Sequence, residues 1–458
     1  GTPISRDVTG EEFYSTIYSL QESPLKQGLI WVGANDGPVH LTRDGGANWK
    51  QVTPRGLPPG GRVDAVAPSP HDPACAYIAV LRYQLGDDAP YIYKTNNYGR
   101  SWKRITNGIP ADYPVRVVRA DPNRVGLLYA GTEFGMFISF DDGDNWQPFQ
   151  QNLPITPVTD IKIKEGDLVL STMGRGFQIA DDLSPLHQKY DQIDTSTVTL
   201  FQPRSTYRYR NSRSYSDGVI SYPTAAVNIY YYLPHSTTNK PLRLEIVNET
   251  GKVVRAFRSG TMETPLVESD MSTNETIYQQ RSALQAGTGL HRFKWDMRHY
   301  GAWDSNDKRA YNGGCMASPG RYELRLSCDG QTYTQSFELL LDPRVAATGV
   351  QLQDVQEQEQ IALALTDLLS RAKRYAAAVE EKMLTSTTEM QAKWMAIHRQ
   401  LVTVSGSYQQ PMLIDQIRYL YGVIRERDQA VGNDVKLRLT ELEQELSDLL
   451  KIKPDITE

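Results

Sequence analysis

The stretch "TRDGGANW", Thr42 to Trp49, decides the fold because it returns twice, as "TNNYGRSW" (95–102) and "SFDDGDNW" (139–146). All three fit Ser/Thr-x-Asp/Asn-x-Gly-x-x-Trp. The central residues Asp44, Asn97 and Asp141 are 53 and 44 residues apart. Self-similarity at roughly 40–50 residues marks propellers and solenoids. The flanks repeat too: "GLIWVGANDGPVHLTRDGGANWKQV" is echoed by "GLLYAGTEFGMFISFDDGDNWQPF". Each reads as a short apolar strand, a Gly turn, a second strand, the motif and a third strand. "FYSTIYSL", "RVDAVAPSP" and "VRVVRADP" supply one more strand upstream in each unit. Four short strands per repeat predict a propeller blade. A fourth, degenerate unit, "VTDIKIKEGDLVLSTMGRGFQIADDLSPL", ends in Asp181–Asp182 without the Trp.

The motif combines an acid with a glycine turn, which invites a catalytic reading. Asn97 argues against it. An amide oxygen accepts backbone N–H bonds as a carboxylate does, but it cannot ionise as a general acid or nucleophile must. Gly46, Gly99 and Gly143 suit a backbone with positive φ. Trp49, Trp102 and Trp146 offer large apolar area to a neighbouring strand, and Thr42, Thr95 and Ser139 add a hydroxyl. These twelve residues are read as structural, with no catalytic, cofactor or metal residue assigned.

Three such motifs in register resemble the Asp-box, or BNR repeat, of sialidases and the sortilin family, over about residues 1–190. The closer resemblance is to the C-terminal half of large bacterial exported proteins described as sortilin-like or BNR-repeat glycosyl hydrolases. Their "GTHGRSFWILDDLTPL" type of blade is similar to "LSTMGRGFQIADDLSPL" here. Met173 stands where that pattern has His, and Gln178 where it has an aromatic. The resemblance implies an extracellular, cell-surface or periplasmic protein whose propeller supplies a binding surface. The cysteine-rich modules that follow the sortilin propeller are absent. Four blades fall short of most closed rings, so further blades are expected, upstream of Gly1 or in another chain.

Composition narrows the partners. The 458 residues carry a net charge of -5, with no electrostatic reason to bind nucleic acid. No apolar run approaches the ~20 residues of a membrane span. Three cysteines, Cys75, Cys315 and Cys328, make no disulfide framework. Bridging Cys315 to Cys328 would require the loop before "RYELRLS" to fold back along that strand, and no bridge is expected.

Beyond about residue 200 the repeat stops. "AVNIYYYLP", "LRLEIVNETGKVVRAF", "GLHRFKWDMR" and "GRYELRLSCDGQTYTQSFELLLDPR" alternate with period two, joined by Gly-containing turns. They predict a small antiparallel sandwich with Trp295, Tyr322 and Phe337 in its core. "GLHRFKWDMR" and "SPGRYELRL" resemble the immunoglobulin-like domain of the flagellar hook-assembly family, which implies fold rather than activity. Past Pro343, apolar residues at helical spacing predict three or four antiparallel helices, broken at "SGSYQQP" and "VGND", with Asn433 or Asp434 capping the last. The fold class is therefore mainly β with an α-helical C-terminal module. It runs as a partial Asp-box propeller (1–195), an immunoglobulin-like sandwich (196–345) and a helical bundle or hairpin (346–458).

Three segments outside this frame invite a functional reading. The Arg/Tyr stretch "RSTYRYRNSRSYSDG" (204–218) reads as an amphipathic linker. The insertions at 259–289 and 299–315 read as solvated loops, although His299, Asp304 and Asp307 could approach a metal. Among the blade turns, Glu133 and Asp160 are the candidate acids of a glycosidase. P-loop, G-x-S-x-G, H-E-x-x-H and C-x-x-C motifs are absent from the sequence. The preferred function is a non-catalytic protein- or glycan-recognition or scaffold subunit. The alternatives are a sialidase-like glycoside hydrolase with catalytic groups partly outside this chain, and a structural component of a cell-surface complex. A sialidase Phe/Tyr-Arg-Ile-Pro opening is not present.

Overall fold

The computed structural model describes residues 16–188, 190–210, 225–237, 242–260, 284–306, 310–406 and 408–452. The chain is mainly β with a C-terminal helical module. It divides into two compact units, the first ending at Gln192 and the second beginning at Ile193.

The first unit is a run of antiparallel meanders, a partial propeller. Blade one comprises β1 (Ile17–Glu22), β2 (Ile30–Ala34), β3 (Val39–Thr42) and β4 (Lys50–Gln51). Blade two comprises β5 (Arg62–Pro68), β6 (Ala76–Leu81), β7 (Ile92–Thr95) and β8 (Lys103–Arg104). Blade three comprises β9 (Val115–Ala120), β10 (Leu128–Thr132), β11 (Gly135–Ser139) and β12 (Gln147–Pro148). Blade four has three strands, β13 (Val158–Lys164), β14 (Asp167–Thr172) and β15 (Phe177–Ala180), followed by the short helix α1 (Ser184–His187).

Side chains on a strand alternate between faces, and here each face serves a different neighbour. On β6, Ala76, Ile78 and Val80 join a core with Val39 and Leu41 of blade one. Tyr77 and Ala79, pointing the other way, join a core with Val117, Leu127 and Leu128 of blade three. Met136 and Ile138 continue that core to Val158, Ile161 and Leu170 of blade four.

A β-bulge recurs near the start of the first strand of every blade. The register slips between Ile17 and Ser19, Val63 and Ala65, Val115 and Val117, and Val158 and Asp160. The extra residues are Tyr18, Asp64, Arg116 and Thr159. A bulge breaks the alternation and re-aims its side chain.

The second unit contains a β-sandwich. One sheet orders β16 (Thr199–Leu200), β18 (Val227–Leu233) and β21 (Gly289–Trp295). The other orders β17 (Thr206–Arg208), β23 (Gln331–Leu341), β22 (Gly320–Cys328), β19 (Arg243–Asn248) and β20 (Val253–Arg258). The sandwich is not wholly antiparallel as expected, because β17 runs parallel to β23. Trp295, Tyr322 and Phe337 are buried together at its centre.

After the one-turn α2 (Pro343–Ala346) come α3 (Leu352–Thr385), α4 (Thr388–Leu401), α5 (Leu413–Glu426) and α6 (Asn433–Lys451). Their apolar stripes meet in one core that includes Leu365, Leu368, Ile397, Ile417, Leu442 and Leu446. Gly432 holds the N-cap of α6, so neither Asn433 nor Asp434 caps it with a side chain. The 299–315 insertion is not a solvated loop. Ala302 and Cys315 enter the helical core, and His299, Ala310 and Tyr311 are buried. All three cysteines are free and buried. Most of the 259–289 insertion and of the Arg/Tyr stretch lies outside the described residues.

Candidate functional site

Each motif closes the turn between the last two strands of its blade by the same set of bonds. In blade one the Thr42 hydroxyl donates to Asp44 Oδ1 (2.8 Å) and accepts from the Gly46 N–H (2.9 Å). Asp44 Oδ1 also accepts from the Asn48 N–H (2.9 Å), and Oδ2 from Asn48 Nδ2 (2.8 Å). Ser139, Asp141, Gly143 and Asn145 repeat all four bonds in blade three. Blade two makes the same set with one direction reversed. Asn97 Oδ1 accepts from Thr95 and the Ser101 N–H, while Asn97 Nδ2 donates to Ser101 Oγ at 2.8 Å. The change of Asp to Asn is thus matched four residues on, where a donor amide becomes an accepting hydroxyl.

These bonds set the charge state of the acids. The Asn48 side-chain and backbone donors, then Thr42, lower the Asp44 carboxyl to about 2. Burial opposes the charge on Asp141, but the Asn145 and Ser139 donors outweigh it and lower that carboxyl as well. A carboxylate held ionised by its own turn is a poor proton donor near neutral pH.

The tryptophans reach between blades. Trp102 Nε1 donates to the Val52 carbonyl (2.6 Å), and Trp146 Nε1 to the Ile105 carbonyl (2.8 Å). Gly99 and Gly143 have φ of +74° and +91° and lie directly on the Val52 and Ile105 side chains. A Cβ on Gly99 would fall 2.6 Å from the Cβ of Val52, so both backbone and space demand glycine. Trp146 is buried, whereas Trp49 remains 47% exposed.

The two proposed acids do not meet as an isolated pair. Asp160 accepts from Arg119 Nη2 (2.7 Å) and from the Ile161 N–H (2.8 Å). Glu133 is held by Arg116, through Nε and Nη2, each at 2.6 Å from Oε1. Arg116 is also the bulged residue of blade three, and its Nη1 lies 3.8 Å from Oδ2 of Asp64, the bulged residue of blade two. Arg62 clasps Asp64 with its Nε and Nη2. The bulge therefore assembles an Arg62–Asp64–Arg116–Glu133 chain in which two cations face two anions. Arg62 stacks on Tyr18, the bulged residue of blade one, with 4.5 Å to the ring centroid. Arg116 lies 5.9 Å from the centroid of Tyr83. Tyr18, Tyr83 and Phe134 all expose ring surface. Burial pushes the Asp64 carboxyl up, against the pull of Arg62 and Arg116.

This cluster was missed in the sequence. A signal was there, in the aligned "IYS", "VDA", "VRV" and "VTD" at the head of each blade, but nothing in one strand announces a slip in its pairing.

In the 299–315 insertion, His299 and Asp304 are engaged by other side chains. His299 Nε2 bonds Glu359 Oε1 at 2.5 Å, Asp304 pairs with Lys373 at 2.9 Å, and Asp307 lies outside the described residues. Among the described residues no group of three metal-ligating side chains occurs. Met173 is exposed, and Gln178 Nε2 donates to the Arg175 carbonyl. No helix of the described residues is long and apolar enough to cross a membrane.

No family model matches the chain. It is 26% identical over 110 residues to the oligoxyloglucan-reducing end-specific xyloglucanase of Emericella nidulans, which covers 23% of this chain and 13% of that protein. Among solved structures it is similar to the GH74 xyloglucanase from Xanthomonas campestris, at 13% identity and a TM-score of 0.31 over 74% of this chain and 48% of that one. It is also similar to YCF48 from Cyanidioschyzon merolae, at 17% identity and a TM-score of 0.28 over 37% of this chain and 54% of that one. The chain spans about half of the xyloglucanase structure and a small part of the curated relative. These likenesses transfer no residue role to it.

Proposed function

We propose that this chain is a non-catalytic recognition subunit, and that its propeller blades bind a neutral glycan at the bulge cluster. The carrying observation is the line of bulged residues Tyr18, Asp64 and Arg116 on successive blades, flanked by exposed Tyr83 and Phe134. Flat aromatic faces suit the apolar faces of sugar rings. The charges beside them are already paired, so they offer fixed hydrogen-bond partners without selecting a charged ligand. The Emericella relative, named for a xyloglucan substrate, makes xyloglucan oligosaccharides the first ligands to try. The reading extends to an exported, sortilin-like Asp-box protein acting outside the cytoplasm, with further blades completing the ring. The twelve motif residues act as turn braces. The segments 196–345, immunoglobulin-like in this reading, and 346–458 serve as scaffold.

One observation favours the hydrolase alternative. Asp64 shares the Arg116 guanidinium with Glu133, and glycosidases work with a pair of carboxylates. Titration calorimetry with xyloglucan oligosaccharides, alongside an assay for new reducing ends, separates the two. Binding that falls in Tyr83→Ala and Phe134→Ala without turnover supports recognition. Turnover lost in Glu133→Gln with binding kept would establish the hydrolase instead.

A further inference from the structure

The blades are joined by a contact with a fixed offset. Trp102 donates to the carbonyl of Val52, three residues past Trp49, and Trp146 to that of Ile105, three residues past Trp102. Each motif thus grips the strand that follows the motif of the preceding blade. Trp49 heads this series and is 47% exposed.

The face of blade one beside Trp49 is open at the matching place. Counting from the bulge, Leu20 occupies the register position of Val66 in blade two and Val118 in blade three. Val66 and Val118 are buried on the side of the preceding blade, while Leu20 is 61% exposed. The interface between blades one and two therefore has a counterpart on the far side of blade one, with its tryptophan and its apolar row in place.

We infer that the Trp49–Leu20 face docks a further motif-bearing blade, whose backbone carbonyl three residues past its own Trp accepts the Trp49 indole N–H. This deepens the proposed completion of the ring and is independent of the ligand at the bulge cluster. A second copy of this chain fits less well. Its own open face, at the other end of the run, is that of blade four. Phe177 there takes the position of Val39, Ile92 and Met136, and is 78% exposed where those three are buried. Blade four has no motif Trp and so no carbonyl at the offset that Trp49 would read.

The test is a chain in which a second copy of residues 53–114, a blade with its motif, Ile105 and the linker to the next blade, precedes Thr16. Hydrogen exchange at Ile17–Glu22 should slow by about tenfold or more. The acrylamide quenching that Trp49→Phe removes from the parent chain should also disappear. Leu20→Asp in the extended chain should reverse both. A folded extension that leaves exchange and quenching unchanged overturns the inference. Should the extension not fold, light scattering of the parent chain decides. A monomer with quenchable Trp49 is the expected state. A dimer that shields Trp49 and is dissolved by Phe177→Asp overturns the inference in favour of a second copy. Loss of glycan binding alone bears only on the bulge cluster.

Discussion

Trp146 donates its indole N–H to the carbonyl of Ile105 at 2.8 Å, 41 residues back and one blade away. The same residue type at Trp49 has no preceding blade among the described residues and stays half exposed. One motif therefore has two energetic values in a single chain. Trp146→Ala should cost about 3–5 kcal/mol, the usual range for emptying a large aromatic site. Trp49→Ala should cost less than about 1 kcal/mol, as surface changes do. Urea denaturation followed by far-ultraviolet dichroism measures both. Equal costs would mean that the indole braces its own turn rather than the neighbouring blade.

The motif acids give a pH test with an internal control. Asp44 and Asp141 have carboxyls lowered in the folded chain. Their contribution is complete above the ordinary carboxylate value of 3.8 and is lost as pH falls through the folded value, about 2 for Asp44. Asn97 makes the equivalent bonds without titrating. Hydrogen exchange between pH 4 and 2, corrected for intrinsic rates, should show protection fading at Asn48 and Asn145 but not at Ser101. Asp44→Asn should fold at pH 7 and remove the acid sensitivity at Asn48. A turn that opens when Asp44 is replaced by Asn would mean that the charge itself is required.

The blades were legible because their signal is local. A hydroxyl, a Gly turn and a Trp sit within eight residues at the end of a short strand, and the count between copies names the architecture. The bulge cluster was not legible, since Asp64 and Arg116 come together only when two strands each slip by one residue. The 299–315 loop misled for a related reason. Its Gly, Asn and Asp residues read as solvated, yet Gly301 and Gly314 let the backbone pack closely, and Ala302 and Cys315 enter the helical core. The sandwich strands were found from period two, but the parallel β17–β23 pair depends on where the chain returns, which periodicity does not encode.

Asp428 ties the sandwich to the helices through two guanidiniums, at 2.6 Å from Arg208 Nη1 and 2.7 Å from Arg210 Nη2. Arg208 and Asp428 are almost wholly buried. Removing one partner of such a group leaves charge without compensation, so Asp428→Ala should cost about 3–5 kcal/mol. The double replacement Arg208→Met with Asp428→Leu should recover part of that loss. Denaturant unfolding measures the set, and a Asp428→Ala cost below about 1 kcal/mol would show that water reaches the pair.

Glu359 on α3 receives three bonds from the sandwich loops: from His299 Nε2, from the Ser318 hydroxyl at 2.6 Å and from the Ser318 N–H at 3.1 Å. Burial works against its charge, but the His299 and Ser318 bonds outweigh it and lower the carboxyl from 4.5. Stabilisation from this group is therefore complete above pH 4.5 and is lost as pH falls through the lower folded value. Glu359→Gln should cost about 1–2 kcal/mol at pH 7, because bonds to a charged acceptor become neutral ones while the Ser318 hydroxyl turns to accept from the new amide. As pH falls through the lowered folded value the variant and the parent should converge, since the parent carboxyl is then protonating. Urea midpoints measured from pH 3 to 7 give the two curves. Parallel curves, with the parent's acid slope kept in Glu359→Gln, would assign that slope to other carboxylates, Asp428 first among them.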